Sequence, residues 1–166
     1  MGLGMSDFVL VLLFSYFILM NVTVERFYCD GSVAMDKDTR FLMPETYAFC
    51  SQHNKLFLSR PEWMIRATCV SAWVFLCGYL FMMYTTVTGA WKRNALPVTL
   101  FIGAKAYGIF FYHYMEFSHP TLAPAADSLV PYFSVEGPYI VAMGIVLFKV
   151  ATALNESGVS SKAKRN

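Results

Sequence analysis

The sequence predicts an all-α integral membrane protein: a bundle of four transmembrane helices with both termini on the cytoplasmic (or matrix) side. Three observations lead there. The chain of 166 residues is 57% hydrophobic and only 14% charged, whereas a soluble domain is nearer half apolar and a quarter charged. Four apolar runs approach or exceed the roughly 20 residues that a spanning helix needs. Finally, Lys and Arg alternate between the short links, which sets an orientation.

The elements follow in order. The first run, Phe8 to Val24, begins after Ser6 and Asp7 as helix caps and continues past Glu25 to Tyr28, giving a helix over about 7–28. It lacks a basic n-region and a small-residue cleavage site, so it reads as a retained helix rather than a signal peptide. Pro61-Glu62-Trp63 opens the second helix, 63–87, and Thr88-Gly89-Ala90 ends it. Trp63 and Trp91 then mark the two interfaces, where indoles prefer to sit. Pro97 opens the third helix, 97–117, and the fourth covers 129–154 with Gly137-Pro138 inside it. These helices form one domain, 1–155, followed by a polar basic tail, 156–166.

Lys92 and Arg93 lie in the link between helices two and three, and Lys162, Lys164 and Arg165 in the tail, while 118–128 holds no Lys or Arg. The positive-inside rule therefore puts both termini on the cytoplasmic side. The long link from Arg26 to Glu62 carries five basic and five acidic residues, which neutralise each other. Its middle, Tyr47 to Phe57, is expected to lie as a short helix on the outer mouth of the bundle. Cys29 and Cys50 fall in this link, where an oxidising compartment permits a disulfide. Cys69 and Cys77 lie within the second helix and read as small packing residues.

Polar residues inside spanning segments are costly and usually face a bundle interior. Lys105, Tyr112 and Glu116 fall near one face of helix three. Asn21 and Glu25 share a face of helix one, with Arg66 and Ser71 on helix two and Glu136 beside the Gly-Pro pair of helix four. Glu136 is the hardest to explain blandly, because a carboxylate is too short to snorkel; it is either protonated or paired with Lys105. Glu25 and Glu116, near helix ends, have a solvated alternative, Arg66 an interfacial one, and Lys105 a snorkelling one. His113 is placed on the face opposite Lys105, as an interfacial aromatic. No CxxC or His-rich spacing suggests a metal, nothing points to a cofactor, and there is no basic stripe for nucleic acid.

The segment Ala106-Tyr107-Gly108 through Phe111-Tyr112 to Glu116 resembles the penultimate helix of the EXPERA membrane proteins, which include the emopamil-binding sterol isomerase and the sigma-two receptor. Pro61, Trp63, Trp73, Gly89-Ala90-Trp91-Lys92-Arg93, Pro97 and Pro138-Tyr139 follow the same pattern, and Lys162 to Asn166 resembles an endoplasmic-reticulum retrieval tail. The resemblance implies an intramembrane pocket for a sterol-like or cationic amphiphilic ligand, lined by Asn21, Glu25, Ser71, Lys105, Tyr112, Glu116, Glu136 and Tyr139. In the isomerase, a His and a Glu four residues apart transfer protons, a further acid assists, and an Asn and a Trp on the last helix stabilise the carbocation. Here Asn21 and Glu25 stand at the first pair, and Glu136-Gly137 replaces the asparagine neighbourhood. Asn cannot shuttle protons at neutral pH, so Glu25 and Glu136 are the remaining catalytic candidates, and the fold carries over better than the chemistry.

Two functional classes follow. One is a binder of sterol or membrane lipid, monomeric or homodimeric, in the endoplasmic reticulum. The other is a non-catalytic accessory subunit of a larger assembly, such as a respiratory complex in the mitochondrial inner membrane.

Overall fold

The computed structural model describes residues 4–31 and 37–163, with side chains described up to residue 155. Lys164, Arg165 and Asn166 of the retrieval-like tail lie outside the described residues. The described residues are all-α, and four of their helices are long and apolar enough to cross a membrane. They are α1 (Met5–Asp30), α4 (Glu62–Thr88), α5 (Ala95–Phe117) and α6 (Leu129–Ala163, whose apolar part ends near Asn155). Two shorter helices, α2 (Met43–His53) and α3 (Lys55–Ser59), occupy the long link.

Cross-helix contacts fix an antiparallel up-and-down order. Along α1, Phe17 meets Tyr79, Asn21 meets Ser71, and Cys29 meets Cys69, so α4 runs the opposite way. Phe101 and Phe111 of α5 pack edge-on against Tyr79 and Trp63 of α4. Asp7 and Phe17 of α1 reach Lys149 and Tyr139 of α6. Both ends of the described chain and the turn after α4 therefore lie at one end of the bundle, with the long link at the other.

The core is a column of side chains from all four helices, including Leu10, Phe14, Phe17, Tyr79, Met82, Val98, Ile102, Tyr139 and Val146. Gly78 lets α5 come close: a Cβ there would overlap the Phe101 ring. The outward faces are equally apolar, with Leu100, Tyr107, Phe110 and Phe148 all exposed. That is the pattern expected where lipid rather than water is the solvent.

Several expectations need correction. Helix α1 starts earlier, after Gly4, and Asp7 sits within its first turn, accepting a hydrogen bond from the Gly4 amide. Ser6 is therefore inside the helix and not a cap, whereas Asp7 does cap it, from the third helical position back to the Gly4 amide. Trp91 is buried in the core rather than facing headgroups, because Gly89, at φ +65°, ends α4 and turns the chain back under the bundle. Asn94 closes this turn by donating to the Thr85 hydroxyl at 2.9 Å. Pro97 is the third residue of α5, still within the turn whose N–H groups lack partners. The tail from 156 continues α6 as helical backbone to Ala163.

The disulfide also differs. Cys29 bonds Cys69 of α4, whereas Cys50 is free and buried and Cys77 is free and exposed. Cys29 is not in a loop at all but in the last turn of α1, and the antiparallel order brings that turn to the start of α4. Arg60 completes the junction: its guanidinium lies over the Tyr28 ring and donates to the carbonyls of Tyr28, at 2.7 Å, and Gly31. Those carbonyls belong to the end of α1, where helical partners run out.

Two outcomes test this junction. Burial pushes the Cys50 thiol up to about 12, so it stays protonated and slow to react in the folded protein. Maleimide mass-tagging of unfolded, unreduced protein should add two tags, since two of the four cysteines are bridged; reduction should raise this to four. Cys29→Ser should cost about 2–4 kcal/mol of stability by the loop-entropy argument, read as a fall in the thermal midpoint.

Candidate functional site

Helices α1 and α4, packed antiparallel, each depart from α geometry at one point, and at the same level. Asn21–Glu25 in α1 and Ser71–Phe75 in α4 are single π turns, in which the Arg26 amide donates to the Asn21 carbonyl and the Leu76 amide to the Ser71 carbonyl. Such turns often accompany functional sites. They face one another here. The Asn21 side-chain amide, fully buried, donates across to the Ser71 carbonyl at 2.5 Å and to Glu25 Oε2 at 3.1 Å. The Ser71 hydroxyl lies beside the same carboxylate. Asn21, Glu25 and Ser71 thus form one polar joint between two helices.

Lys105 projects from α5 towards this joint. Its ammonium sits 4.6 Å from the centre of the Tyr139 ring, 5.1 Å from Phe75 and 5.6 Å from Tyr79. All three distances are within cation–π range, about 6 Å. The carboxylates acting on it are Glu25 and Glu136. Lys105 stands ten residues into α5, or about 15 Å from its start at the helical rise, near the middle of a hydrocarbon core about 30 Å thick. Its stem is too short to snorkel from there. Beside it is a void of about 10 Å³, lined by Phe14, Phe17, Phe101 and Ala142 among others. That is room for about one water, not for a lipid.

A second polar group lies towards the long-link end. Glu116 is wholly buried, and neither carboxylate oxygen meets hydrogen-bonding geometry with a donor, although the Tyr112 hydroxyl one turn away lies next to it. Tyr112 receives a hydrogen bond at 2.5 Å from Asn54, whose Oδ1 caps α3. His53 at the end of α2 contacts the Ser128 hydroxyl at 3.2 Å. Helices α2 and α3 therefore rest on the mouth of the bundle, where a short helix over Tyr47 to Phe57 was expected. Glu136 bridges the two groups, with Oε2 4.0 Å from His113 Nε2 and Lys105 as its cationic neighbour on the other side.

The predicted site residues thus separate into two linked sets. Asn21, Glu25, Ser71, Lys105, Tyr139 and Glu136 meet at mid-depth, whereas Tyr112 and Glu116 lie beyond them near the mouth, reaching Glu136 electrostatically. Glu116 is interior rather than solvated, and Lys105 does not snorkel. Arg66 is outside both sets, in an exposed pair with Glu62 at 2.6 Å. His113 is not opposite Lys105: eight residues at 3.6 per turn leave it only about 80° round the helix, facing Glu136 among Phe117, Tyr132 and Phe133. Sequence reasoning also missed Phe75, Tyr79 and Asn54. For the two rings the signal was their spacing, four apart on one face of α4. For Asn54, in an irregular link, there was none.

The two sets carry opposite consequences for stability. Asn21→Ala removes a satisfied buried donor and leaves the Glu25 carboxylate less supported, at a cost of about 1–3 kcal/mol. Glu116→Met replaces a buried carboxyl that has no donor with an apolar chain of similar volume, and should raise stability by about 1–3 kcal/mol. Thermal unfolding in one detergent reads both; a destabilising Glu116→Met would mean that Glu116 is satisfied. Comparison with protein-family models, curated proteins and solved structures gives no match.

Proposed function

We propose that this multispanning protein binds a lipid-borne ligand, sterol-like or a cationic amphiphile, at the mid-depth site between Glu25, Lys105 and Glu136. The observation that supports this reading most is the box itself. Three aromatic faces and two carboxylates converge at one point inside the bundle, and such a combination recognises alkylammonium groups. Intramembrane carboxylates of this kind are expensive and usually functional. The resemblance of α5 to the EXPERA proteins supports the same ligand class. Glu25 and Glu136 supply the countercharge, Tyr139, Tyr79 and Phe75 the aromatic walls, and the joint made by Asn21 and Ser71 holds Glu25 in place; Tyr112 lies nearer the mouth. Isomerase chemistry has weaker support, because Asn21 contributes no titratable group beside Glu25.

The test is ligand-dependent thermal stability of the purified full chain in mild detergent. A neutral sterol and N,N-dimethyldodecylamine are the two probes. A ligand at about one hundred times its Kd adds about 2.7 kcal/mol, which for a chain of this size raises the midpoint by about 5 °C or more. Glu136→Gln should abolish the shift for the amine. If neither probe moves the midpoint, the binding reading fails.

One observation favours a second reading. The void beside Lys105 is only about 10 Å³, and a non-catalytic subunit of a membrane assembly would need no cavity there. Migration on a native gel separates the two: a subunit runs with a complex many times its mass, and a binder as monomer or dimer.

A further inference from the structure

We propose that Lys105 is a built-in occupant of the ammonium site, so that a lipid-borne ammonium enters the aromatic box only by displacing it. This rests on the binding reading above and adds to it how the site is kept closed.

The geometry has three parts. Lys105 is held by ring faces: among the described residues its ammonium makes no ion pair within 4.0 Å and no side-chain hydrogen bond, although it carries three donors. It therefore occupies the box as a free ammonium ligand would, through the rings and the field of the carboxylates. Second, the site has more countercharge than its occupant uses. Glu25 and Glu136 both act on one lysine, so with both ionised a second cation has a partner. His113 reaches Glu136 only at 4.0 Å. Third, the void beside the ammonium is bounded by the same aromatic residues, Tyr79 and Tyr139, together with Phe14 and Phe17. The four-carbon stem is flexible enough to carry the ammonium off the rings, but it cannot reach the headgroups from mid-depth. The displaced ammonium has to move onto one carboxylate while the incoming one takes the rings and the other. Two acids then serve two cations.

This arrangement also explains why Glu136→Gln should abolish amine binding: the remaining Glu25 is claimed by Lys105. Removing the lysine as well should restore it. The decisive comparison is the apparent Kd for N,N-dimethyldodecylamine, with dodecanol as the control for micelle partitioning, across four full-length proteins: parent, Lys105→Met, Glu136→Gln and the double variant. Lys105→Met should bind at least ten times tighter than the parent. The double variant, with the same formal charge in the site as the parent, should recover binding at least tenfold over Glu136→Gln. Binding by the parent that Lys105→Met leaves equal or weakens overturns the proposal while the binding reading stands. So does a double variant no better than Glu136→Gln. If no protein binds the amine, the proposal fails, and the binding reading fails with it when the sterol probe is also without effect. If Lys105 variants fold in neither background, the lysine is a structural member of the core and the proposal is overturned.

Discussion

An ammonium near the middle of a spanning helix has no water to return to, and everything around Lys105 is arranged accordingly. Its compensation comes from all three other spanning helices: Glu25 from α1, Phe75 and Tyr79 from α4, and Tyr139 and Glu136 from α6. Burying one partner of such a group without the others costs several kcal/mol, so the helices cannot drift independently. Lipid tails offer little driving force for helix association because they are as apolar as the side chains. Specific polar and aromatic contacts therefore decide which helix sits beside which. Lys149 with Asp7 at 2.7 Å does the same at the terminal end.

The other end is secured differently. There the Cys29–Cys69 bond and the Arg60 guanidinium tie the end of α1 to the start of α4, and Asn54 ties α3 to Tyr112 on α5. The mid-depth site thus lies between a covalent closure and an ionic one. The link that carries α2 and α3 adds a roof rather than another spanning element, which is why its short helices are mixed in polarity while the four long ones are not.

The four spanning helices were legible because length and apolarity in a membrane protein are set by bilayer thickness, a constraint each segment meets on its own. Glu136, Lys105 and Glu25 were legible for a related reason: a charge in an apolar run stands out without any knowledge of its neighbours. What could not be read was pairing. Cys69 looked like a packing residue because its partner is 40 positions away, and Trp91 looked like an interfacial anchor because the direction of a tight turn is invisible in composition. Phe75 and Tyr79 were lost among the many aromatic residues of the chain. His113 was misplaced by treating about 80° as the far side of a helix.

The two π turns have a consequence for how this chain can vary. A π turn holds one residue more than the α turn it replaces, so each is a point where a helix has absorbed an extra position. Deleting one residue between 21 and 25 would let α1 close into ordinary α geometry with everything beyond kept close to its present register. Cys29 would still face Cys69, and Tyr28 Arg60. The same deletion one or two turns earlier, in regular helix, would rotate both away by about 100°, although no side chain in either contact had been altered. The π turns are therefore the points in α1 and α4 where a change of length is a local event rather than a global one.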